Sequence, residues 1–446
     1  MKVQIYCLIL ASLCVTTAAT GPLRVHPTNP RYFTDGTKDP DGIIKAIYLT
    51  GSHTWGNLSD GNTRSQFDYT AYLDFLNQYK HNFIRLWSGY NLGRAPIPYE
   101  RTGPGSALDG SPQVDLTRLE ARFFDRLRSR VIAARDRGLY VAIMLFAPDG
   151  AKKEDWPILL FNPSNNVQRI NADMNRDGSG AEAFDLSLPE ITRAQEAFVR
   201  KVIDAVNDLD NVLYEIGNEG DVSSVPWQYH MIQLIKKYEA TKPKQHPVGM
   251  TSVFSIVAGT WATDNKALWD SSADWISPGL DAYKDNPPAA DGKKVIIADV
   301  DHIWPAKPHR AWIWKCFLRG IHPILMDYYT YGKPEWTSVA EQEAMRKGMG
   351  YTLTYANKIG LAAMTPRNEL ASTGYCLVNP GKEYLVYQPK GGAAFSVELK
   401  AGKYLTEWFD PAKGTTASAG HFESSGQAQH FKAPFDGDAV LYLNAQ

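Results

Sequence analysis

Residues 212–220 read VLYEIGNEG, and this stretch is the starting point for predicting the fold of the chain. The apolar run VLYEIG is typical of a strand that is buried on both faces. A polar residue that follows such a strand in a parallel barrel lies at the mouth of the barrel, where these folds carry their sites. Glu219 is therefore either a site carboxylate or an ordinary acidic loop residue, and the rest of the chain has to decide.

Similar apolar runs alternate with segments of helical periodicity on both sides of this stretch. The predicted strands are 43–49, 82–87, 139–146, 212–217, 248–253, 274–276, 295–298 and 323–326, and the main predicted helices are 68–79, 116–137, 189–209, 225–241, 311–319 and 341–359. This alternation predicts an α/β fold, a (β/α)8 TIM barrel. A doubly wound sheet is the competing fold. The first strand is not followed by a glycine-rich phosphate fingerprint, which argues against nucleotide binding.

The sequence pattern changes from about Arg367 onwards. Short strands with apolar–polar alternation, at 384–388, 394–399, 404–409 and 439–443, are separated by turns rich in Gly, Pro and Lys. This pattern predicts a small all-β antiparallel sandwich. The predicted division is a signal peptide at 1–19, a (β/α)8 catalytic domain at 20–364 and a C-terminal β-sandwich at 365–446.

The composition and the first residues bear on the surroundings of the protein. The net charge is −1, which favours neither nucleic acid nor an anionic membrane as a partner. Lys2, an apolar run and small residues at 17–19 predict a secretory signal, and hence a secreted protein, extracellular or periplasmic. No later apolar run is long enough for a membrane helix. Cys316 and Cys376 could form one disulfide, and Asn57 is a glycosylation acceptor if the host is eukaryotic.

Polar and aromatic side chains follow the predicted strands, and a barrel would bring them together over one mouth. They are His53 and Trp55 after the first strand, Arg85 and Trp87 at the second, Asp149 after the third, Asn218 and Glu219 after the fourth, Tyr283 beyond the sixth, Asp299, Asp301, His302 and Trp304 after the seventh, and Asp327 after the eighth. Two carboxylates that face each other across such a mouth suit glycoside hydrolysis. One protonates the leaving oxygen, and the other attacks the anomeric carbon or activates water.

The chain resembles a known group at these positions. Asn218-Glu219 with a carboxylate after the seventh strand resembles the clan of retaining (β/α)8 glycoside hydrolases, and FIRLW at 83–87 resembles the strand-two arginine segment of that clan. LTGSHTW at 49–55, DVDHIW at 299–304 and the tail segments 404–409 and 437–443 resemble the apiosidase-like hydrolases more closely. These carry a C-terminal module labelled a putative collagen-binding domain. The resemblance covers nearly the whole mature chain.

The resemblance implies roles for individual residues. Glu219 is the expected general acid/base, and Asn218 is expected to bond the hydroxyl next to the reacting carbon. Asp299 aligns with the nucleophile, although the clan has Glu there, and Asp301 is the alternative nucleophile or a supporting residue. The shorter Asp side chain leaves retention and inversion both open. The remaining substrate-binding candidates are His53, Trp55, Arg85, Trp87, Tyr283, His302, Trp304 and Asp327.

The predicted function is thus that of a secreted glycoside hydrolase with a carbohydrate substrate. The resemblance implies an exo-acting enzyme that releases a terminal pentose, of the apiose or arabinofuranose type, from a plant polysaccharide. The alternative is a non-catalytic carbohydrate- or matrix-binding protein on a degenerate barrel. No cofactor and no metal are expected. The pattern Asp173-x-Asn175-x-Asp177-Gly begins like a calcium loop, but Phe184 stands where the final Glu belongs. The oligomeric state is not predicted.

Overall fold

The computed structural model describes residues 21–59, 67–88, 90–93, 95–148, 151–257, 260–303, 309–327, 329 and 337–446. Eight parallel strands form one sheet that curves into a nearly closed barrel. They are β1 (Gly51–His53), β2 (Phe83–Trp87), β3 (Tyr140–Phe146), β4 (Val212–Gly217), β5 (Val248–Thr251), β6 (Trp275–Ser277), β7 (Val295–Asp299) and β8 (His322–Met326). The order in the sheet is β1-β8-β7-β6-β5-β4-β3-β2. The edges meet where Asn82 N donates to Thr50 O at 3.1 Å.

Helices cover the outside of the barrel. They are α1 (Tyr69–Gln78), α2 (Ala121–Arg135), α3 (Pro189–Val206), α4 (Val225–Glu239), α5 (Asn265–Asp270), α6 (Arg310–Leu318) and α7 (Val339–Lys358). Each long helix buries an apolar stripe against the strands, as Phe198, Val202 and Val206 of α3 do. This architecture confirms the predicted (β/α)8 barrel. Within the described residues, no helix combines the length and the apolar character that crossing a membrane requires.

The barrel interior changes from apolar to charged along the strands. Near the amino ends it is filled by buried side chains that include Phe83, Leu213, Trp275 and Val295. Gly249 makes room for Trp275, because a Cβ on Gly249 would lie 1.9 Å from that ring. Towards the carboxyl ends, the same strands present charged groups instead. An apolar plug beneath a charged mouth is the arrangement expected of a barrel with a site at its carboxyl end.

The structure corrects the prediction for the first strand. Residues 43–49 do not form a barrel strand, and β1 is the three-residue strand Gly51–His53. Ile44 and Ile47 make only isolated bridges to Lys38 and Phe33. Gly51 is needed where β1 meets β2, because a Cβ there would lie 2.1 Å from the carbonyl oxygen of Phe83.

A second correction concerns the segment before α2. The segment after the second strand, for which no strand was predicted, contains an antiparallel hairpin, Tyr99–Ser106 with Pro112–Leu119. The helix therefore begins at Ala121 instead of 116, after Glu120, whose side chain accepts from the backbone N–H of Arg122. Two other short pairs also lie outside the barrel, Arg24–Val25 with Phe33–Thr34 and Phe254–Val257 with Thr260–Thr263.

The C-terminal unit is antiparallel, as predicted. Its six-stranded sheet has the order Thr365–Pro366, Cys376–Asn379, Glu383–Gln388, Ala439–Ala445, Gly402–Asp410, Thr415–Ser424, and a second pair joins Phe395–Glu398 to Ala428–Phe431. Tyr404, Trp408 and Phe409 are buried and belong to its core or to the contact with the barrel. Cys316 and Cys376 are buried free thiols, so they do not form the disulfide that the sequence allowed.

An aromatic layer joins the two units. Trp314 of α6 stacks on Tyr387 at 6.0 Å between ring centroids, and Phe409 lies 5.4 Å from the ring of Tyr355. Lys358 at the end of α7 pairs with Glu407 at 2.6 Å. The sandwich therefore shares a continuous core with the barrel, and it is not a separate module on a linker.

His322, the first residue of β8, makes stability depend on pH. Its Nδ1 accepts from Leu49 N at 2.8 Å and its Nε2 donates to Arg31 O at 3.0 Å, so the ring is held neutral. Burial lowers the pKa of His322 to about 4. In the unfolded chain the pKa is about 6.5, so the unfolded state binds more protons between these values and stability falls as pH decreases. His322 alone is expected to lower the free energy of unfolding by about 2 kcal/mol at about pH 5.

We expect His322→Gln to flatten the pH dependence. The amide can accept from Leu49 and donate to Arg31, but it does not titrate. Thermal unfolding at about pH 7 and about pH 5 measures the difference in melting temperature, which should shrink in the variant. The control is His421→Gln, since His421 is exposed. An equally steep pH dependence in His322→Gln would show that other groups cause it.

Candidate active site

A buried cluster of charged side chains occupies the carboxyl end of the barrel. Arg85 of β2 lies at its centre with 1% of its surface exposed. Its Nε donates to Glu215 Oε2 at 2.8 Å, its Nη1 to Asp299 Oδ2 at 2.7 Å and its Nη2 to Asn218 Oδ1 at 2.8 Å, while Nη2 also pairs with Glu215 Oε1. Burial opposes the charge on Arg85, but the surrounding carboxylates hold its pKa above the ordinary value. One guanidinium thus fixes side chains from β4 and β7.

Asp299 ends β7 and is fully enclosed. Its Oδ2 contacts both Arg85 Nη1 and His53 Nε2, at 2.7 Å and 2.8 Å, and its Oδ1 accepts from the backbone N–H of Asp301 at 2.9 Å. Burial alone would raise the pKa of Asp299, but His53 and Arg85 hold it well below its usual range. Asp299 is therefore an ionised side chain with both oxygens engaged by the protein.

His53 belongs to the same hydrogen-bond network, and its contact with Trp87 determines its tautomer. The indole Nε1 of Trp87 is only a donor, and it lies 3.1 Å from His53 Nδ1. The hydrogen bonds thus place the His53 proton on Nε2, on the side of Asp299. The Trp87 ring also lies 5.0 Å beneath the Arg85 guanidinium. Trp87 therefore orients two members of the cluster.

Asn218 is oriented so that its amide nitrogen is left for a ligand. Its Oδ1 accepts from Arg85 Nη2 and from His302 Nε2, the latter at 3.1 Å. The other ring nitrogen of His302 accepts from Ser277 Oγ at 2.8 Å, because burial lowers the pKa of His302 to about 3 and keeps the ring neutral. Among the described residues, Nδ2 of Asn218 has no hydrogen-bond acceptor. Two N–H donors are therefore available for a substrate hydroxyl.

Glu219 and Asp301 lie at the edge of this cluster and face each other. Glu219 has φ of 45°, a left-handed conformation that few non-glycine residues adopt and that is typical of functional sites. Oxygen atoms of Glu219 and Asp301 lie within 4.8 Å of each other. Asp301 sits in the 3-10 turn Val300–Ile303 after β7, with 16% of its side chain exposed and its Oδ2 3.7 Å from Arg85 Nη1. Glu219 and Asp301 are thus partly exposed to solvent, whereas Asp299 is fully buried.

Glu215 belongs to the cluster but was not singled out in the sequence. It is fully buried inside β4 and forms the closest ion pair of Arg85. Burial raises the pKa of Glu215 above its usual value, although Arg85 acts in the opposite direction. One signal for it was present in the sequence, since a single carboxylate in an apolar strand requires a buried cation as partner.

Of the other predicted site residues, Asp327 and Tyr283 lie apart from this cluster, whereas Trp55 lies next to Trp87. Asp327 is buried in a bidentate pair with Arg346, at 2.7 and 2.6 Å, so it is engaged within the protein. Tyr283 is buried in the core, and burial raises its pKa to about 12. Trp55 packs beside Trp87, 6.4 Å away and perpendicular to it. Trp304 and Asp149 lie outside the described residues.

The cluster also contains a candidate metal group, which its hydrogen bonds do not favour. Glu219, Asp301 and His302 have possible ligand atoms within 4.8 Å of one another. Both nitrogens of His302 are already used, by Asn218 and by Ser277, so neither has a lone pair for a metal. In the calcium-like segment, one oxygen of Asp173 accepts from the backbone N–H of Gly178 and one of Asp177 from that of Ser179.

A family model matches the C-terminal unit, and several solved structures match nearly the whole chain. Residues 366–444 match the family model described as "Putative collagen-binding domain of a collagenase". No curated protein sequence matches the chain. Similar solved structures include one described as a glycoside hydrolase, with a TM-score of 0.59 and 14% identity over 96% of this chain and 97% of that one.

Two further solved structures come from Bacteroides vulgatus. A family 5 glycoside hydrolase has a TM-score of 0.59 and 13% identity over 96% of this chain and 93% of that one. A protein described as a putative glycoside hydrolase has a TM-score of 0.62 and 15% identity over 96% of this chain and 82% of that one. At these identities the likeness concerns the fold, which in all of them extends over nearly the whole chain.

Proposed function

We propose that this protein is a glycoside hydrolase in which Glu219 is the general acid/base and Asp301 the nucleophile. The observation that carries the proposal is the pair itself. One oxygen of each residue lies within 4.8 Å of the other, which is compatible with the carboxylate spacing of about 5 Å that suits retaining hydrolysis. The fold shared with solved glycoside hydrolases supports the same reaction class.

Asp301 is preferred to Asp299 as nucleophile because its side chain is more accessible. A nucleophile must approach the anomeric carbon, and Asp299 is fully buried with both oxygens held by protein donors. Asp301 is partly exposed, and the positively charged Nη1 of Arg85 lies 3.7 Å from its Oδ2. Asp299 then serves as a positioning residue, because it fixes Arg85, His53 and the backbone of Asp301.

The reaction follows from these positions. Glu219 gives its proton to the glycosidic oxygen as the bond to the anomeric carbon breaks, while an Asp301 oxygen bonds to that carbon from the opposite side. Glu219 then removes a proton from water, which displaces Asp301 and releases the sugar with retained configuration. The N–H groups of Asn218 donate to the hydroxyl beside the reacting carbon. Arg85 and His302 hold that amide in place.

The remaining expectations belong to the same proposal. We infer that the protein is secreted, that its mature chain follows the signal at 1–19 and that it acts on a terminal pentose of a plant polysaccharide. The resemblance at 49–55 and 299–304 supports the pentose. The alternative of a matrix-binding protein is supported by the match of residues 366–444 to a family model described as collagen-binding. The aromatic residues Tyr404, Trp408 and Phe409, which could have formed a binding face, are buried.

A screen of glycosides tests the activity. The full chain is incubated with aryl glycosides of apiose, arabinofuranose and common hexoses, and with branched plant polysaccharides, and released sugar is measured by chromatography. We expect release of one type of monosaccharide. NMR of the first product formed should show that its anomeric configuration is retained. Binding without release would favour the non-catalytic alternative, and an inverted first product would contradict the role of Asp301 as nucleophile.

A further inference from the structure

A cleft lies against Glu219, and Arg85 is not among the described residues that line it. It has a volume of about 230 Å³, and Glu219 forms part of its wall together with Pro148, Ala151, Ala181, Phe184 and Phe254. Among the described residues that line it, Asn218, Asp299 and Asp301 do not occur. The cleft is thus separated by Glu219 from the side chains that would hold the reacting sugar.

The position of the cleft identifies what it can hold. Under the proposed mechanism, Asp301 attacks from one side of the anomeric carbon and the leaving group departs from the other. Glu219 must lie beside the leaving oxygen in order to protonate it. A group attached to that oxygen therefore extends along Glu219 into the cleft.

The walls of the cleft indicate the chemistry of that group. Its rigid side is apolar, with Phe184 held edge-on at 5.0 Å by the ring of Trp227. Lys152 and Asp221 also contribute to the lining, but they are exposed. The volume is below the roughly 300 Å³ at which pockets for larger ligands begin, so it suits a single ring. An aromatic ring or the C–H face of one sugar ring would fit such a wall.

The backbone around Glu219 supports a preformed cleft. Gly220 packs so closely against α4 that an added Cβ would lie 2.6 Å from Ser224 Oγ. Gly217 is equally confined, with 2.8 Å from its ideal Cβ position to Pro148 Cδ. The backbone on both sides of Glu219 is therefore closely packed, and Glu219 itself has a left-handed conformation.

We propose that this cleft is the binding site for the leaving group, and that it selects leaving groups whose first unit is a single ring with an apolar face. The proposal rests on the proposed function of Glu219 and Asp301. It makes Ala151, Ala181 and Phe184 specificity-determining residues, although none of them takes part in the chemistry.

The test compares leaving groups on the sugar that the wild type releases. Three substrates of that sugar are used: a 4-nitrophenyl glycoside, a disaccharide with one further sugar ring, and the glycosyl fluoride, whose leaving group has no ring. Ala181→Phe fills the cleft. We expect the ratio of kcat/KM for the aryl glycoside to that for the fluoride to fall by roughly tenfold or more. A fall for the disaccharide as well would show that a sugar ring uses the same cleft.

Two controls make the result decisive. Ala151→Leu fills the cleft from another segment and should change the same ratio in the same direction, in case Ala181→Phe does not fold. Ala412→Phe places the same side chain on an exposed turn of the sandwich and should leave the ratio unchanged. An unchanged ratio in both filling variants would overturn the leaving-group site. If the wild type hydrolysed none of the three substrates, the proposed function itself would fail.

Discussion

Glu219→Gln is expected to lower kcat/KM for a glycoside with a poor leaving group by roughly 10²–10⁴-fold, because the leaving oxygen then departs without a proton. The amide keeps the size of the carboxylate, so the cleft and the left-handed turn at Glu219 should persist. Glycosyl fluoride needs no protonation when it leaves. In the variant, cleavage of the bond to fluoride should therefore slow far less than cleavage of the glycosidic bond in the poor substrate.

The pH profile provides a second measurement for this variant. In the wild type, loss of the Glu219 proton should form the alkaline limb of kcat/KM. The variant has no such proton, so that limb should be absent from its residual activity on the poor substrate, whereas the fluoride should lack the limb in both enzymes. The matched control is Glu154→Gln, an exposed carboxylate in the same long loop as Ala151, and it should retain the wild-type profile. Full activity of Glu219→Gln on the poor substrate, with an unchanged melting temperature, would remove Glu219 from the mechanism.

Much of the barrel can be predicted from the chain because most strands are buried on both faces. The fourth strand was predicted with its observed bounds, Val212–Gly217, since an apolar run interrupted only by Glu215 ends at a glycine that packs against Pro148. The first strand could not be predicted in this way. The strand Gly51–His53 is only three residues long, and it lies beside the second strand because Gly51 allows a close approach to Phe83. No local sequence pattern predicts such a contact.

The interior charge pair was predictable in principle. Leu213, Glu215 and Gly217 alternate onto the same face of β4, so Glu215 must point into the barrel with Leu213. A lone carboxylate there and the lone cation Arg85 in the second strand are natural partners, and the structure pairs them. Sequence spacing alone says nothing of Trp87, which orients His53 through a side-chain contact between different strands.

The choice between the two aspartates depends on a turn that the sequence does not specify. Asp299 and Asp301 are two residues apart, so an extended strand would point both to the same face. The chain instead enters a 3-10 turn at Val300–Ile303. This turn leaves Asp299 inside the cluster and brings Asp301 to Glu219. Alignment with a glutamate nucleophile favours Asp299, whereas access in three dimensions favours Asp301.

Asp301→Gly is expected to lower turnover by about 10⁴–10⁶-fold, as the removal of a nucleophile does in other covalent mechanisms. The side chain is partly exposed, so the protein should fold with little loss of stability. Sodium azide should restore activity on an activated aryl glycoside, because the small anion can enter the space left by the carboxylate and attack the anomeric carbon. The product is a glycosyl azide of inverted configuration, which NMR identifies.

Asp299→Asn is the matched comparison, and its defect should be of a different kind. Removing this charge leaves Arg85 with one fewer buried partner and changes the acceptor that faces His53. We expect a loss of roughly 3–5 kcal/mol in unfolding free energy, as for other broken buried pairs. Activity should fall through displacement of Asn218 and Asp301, and azide should not restore it for either Asp299→Asn or Asp299→Gly. Rescue of Asp299→Gly but not of Asp301→Gly would reverse the two roles, since only the residue that bonds to the sugar leaves a space in which an external anion can replace it.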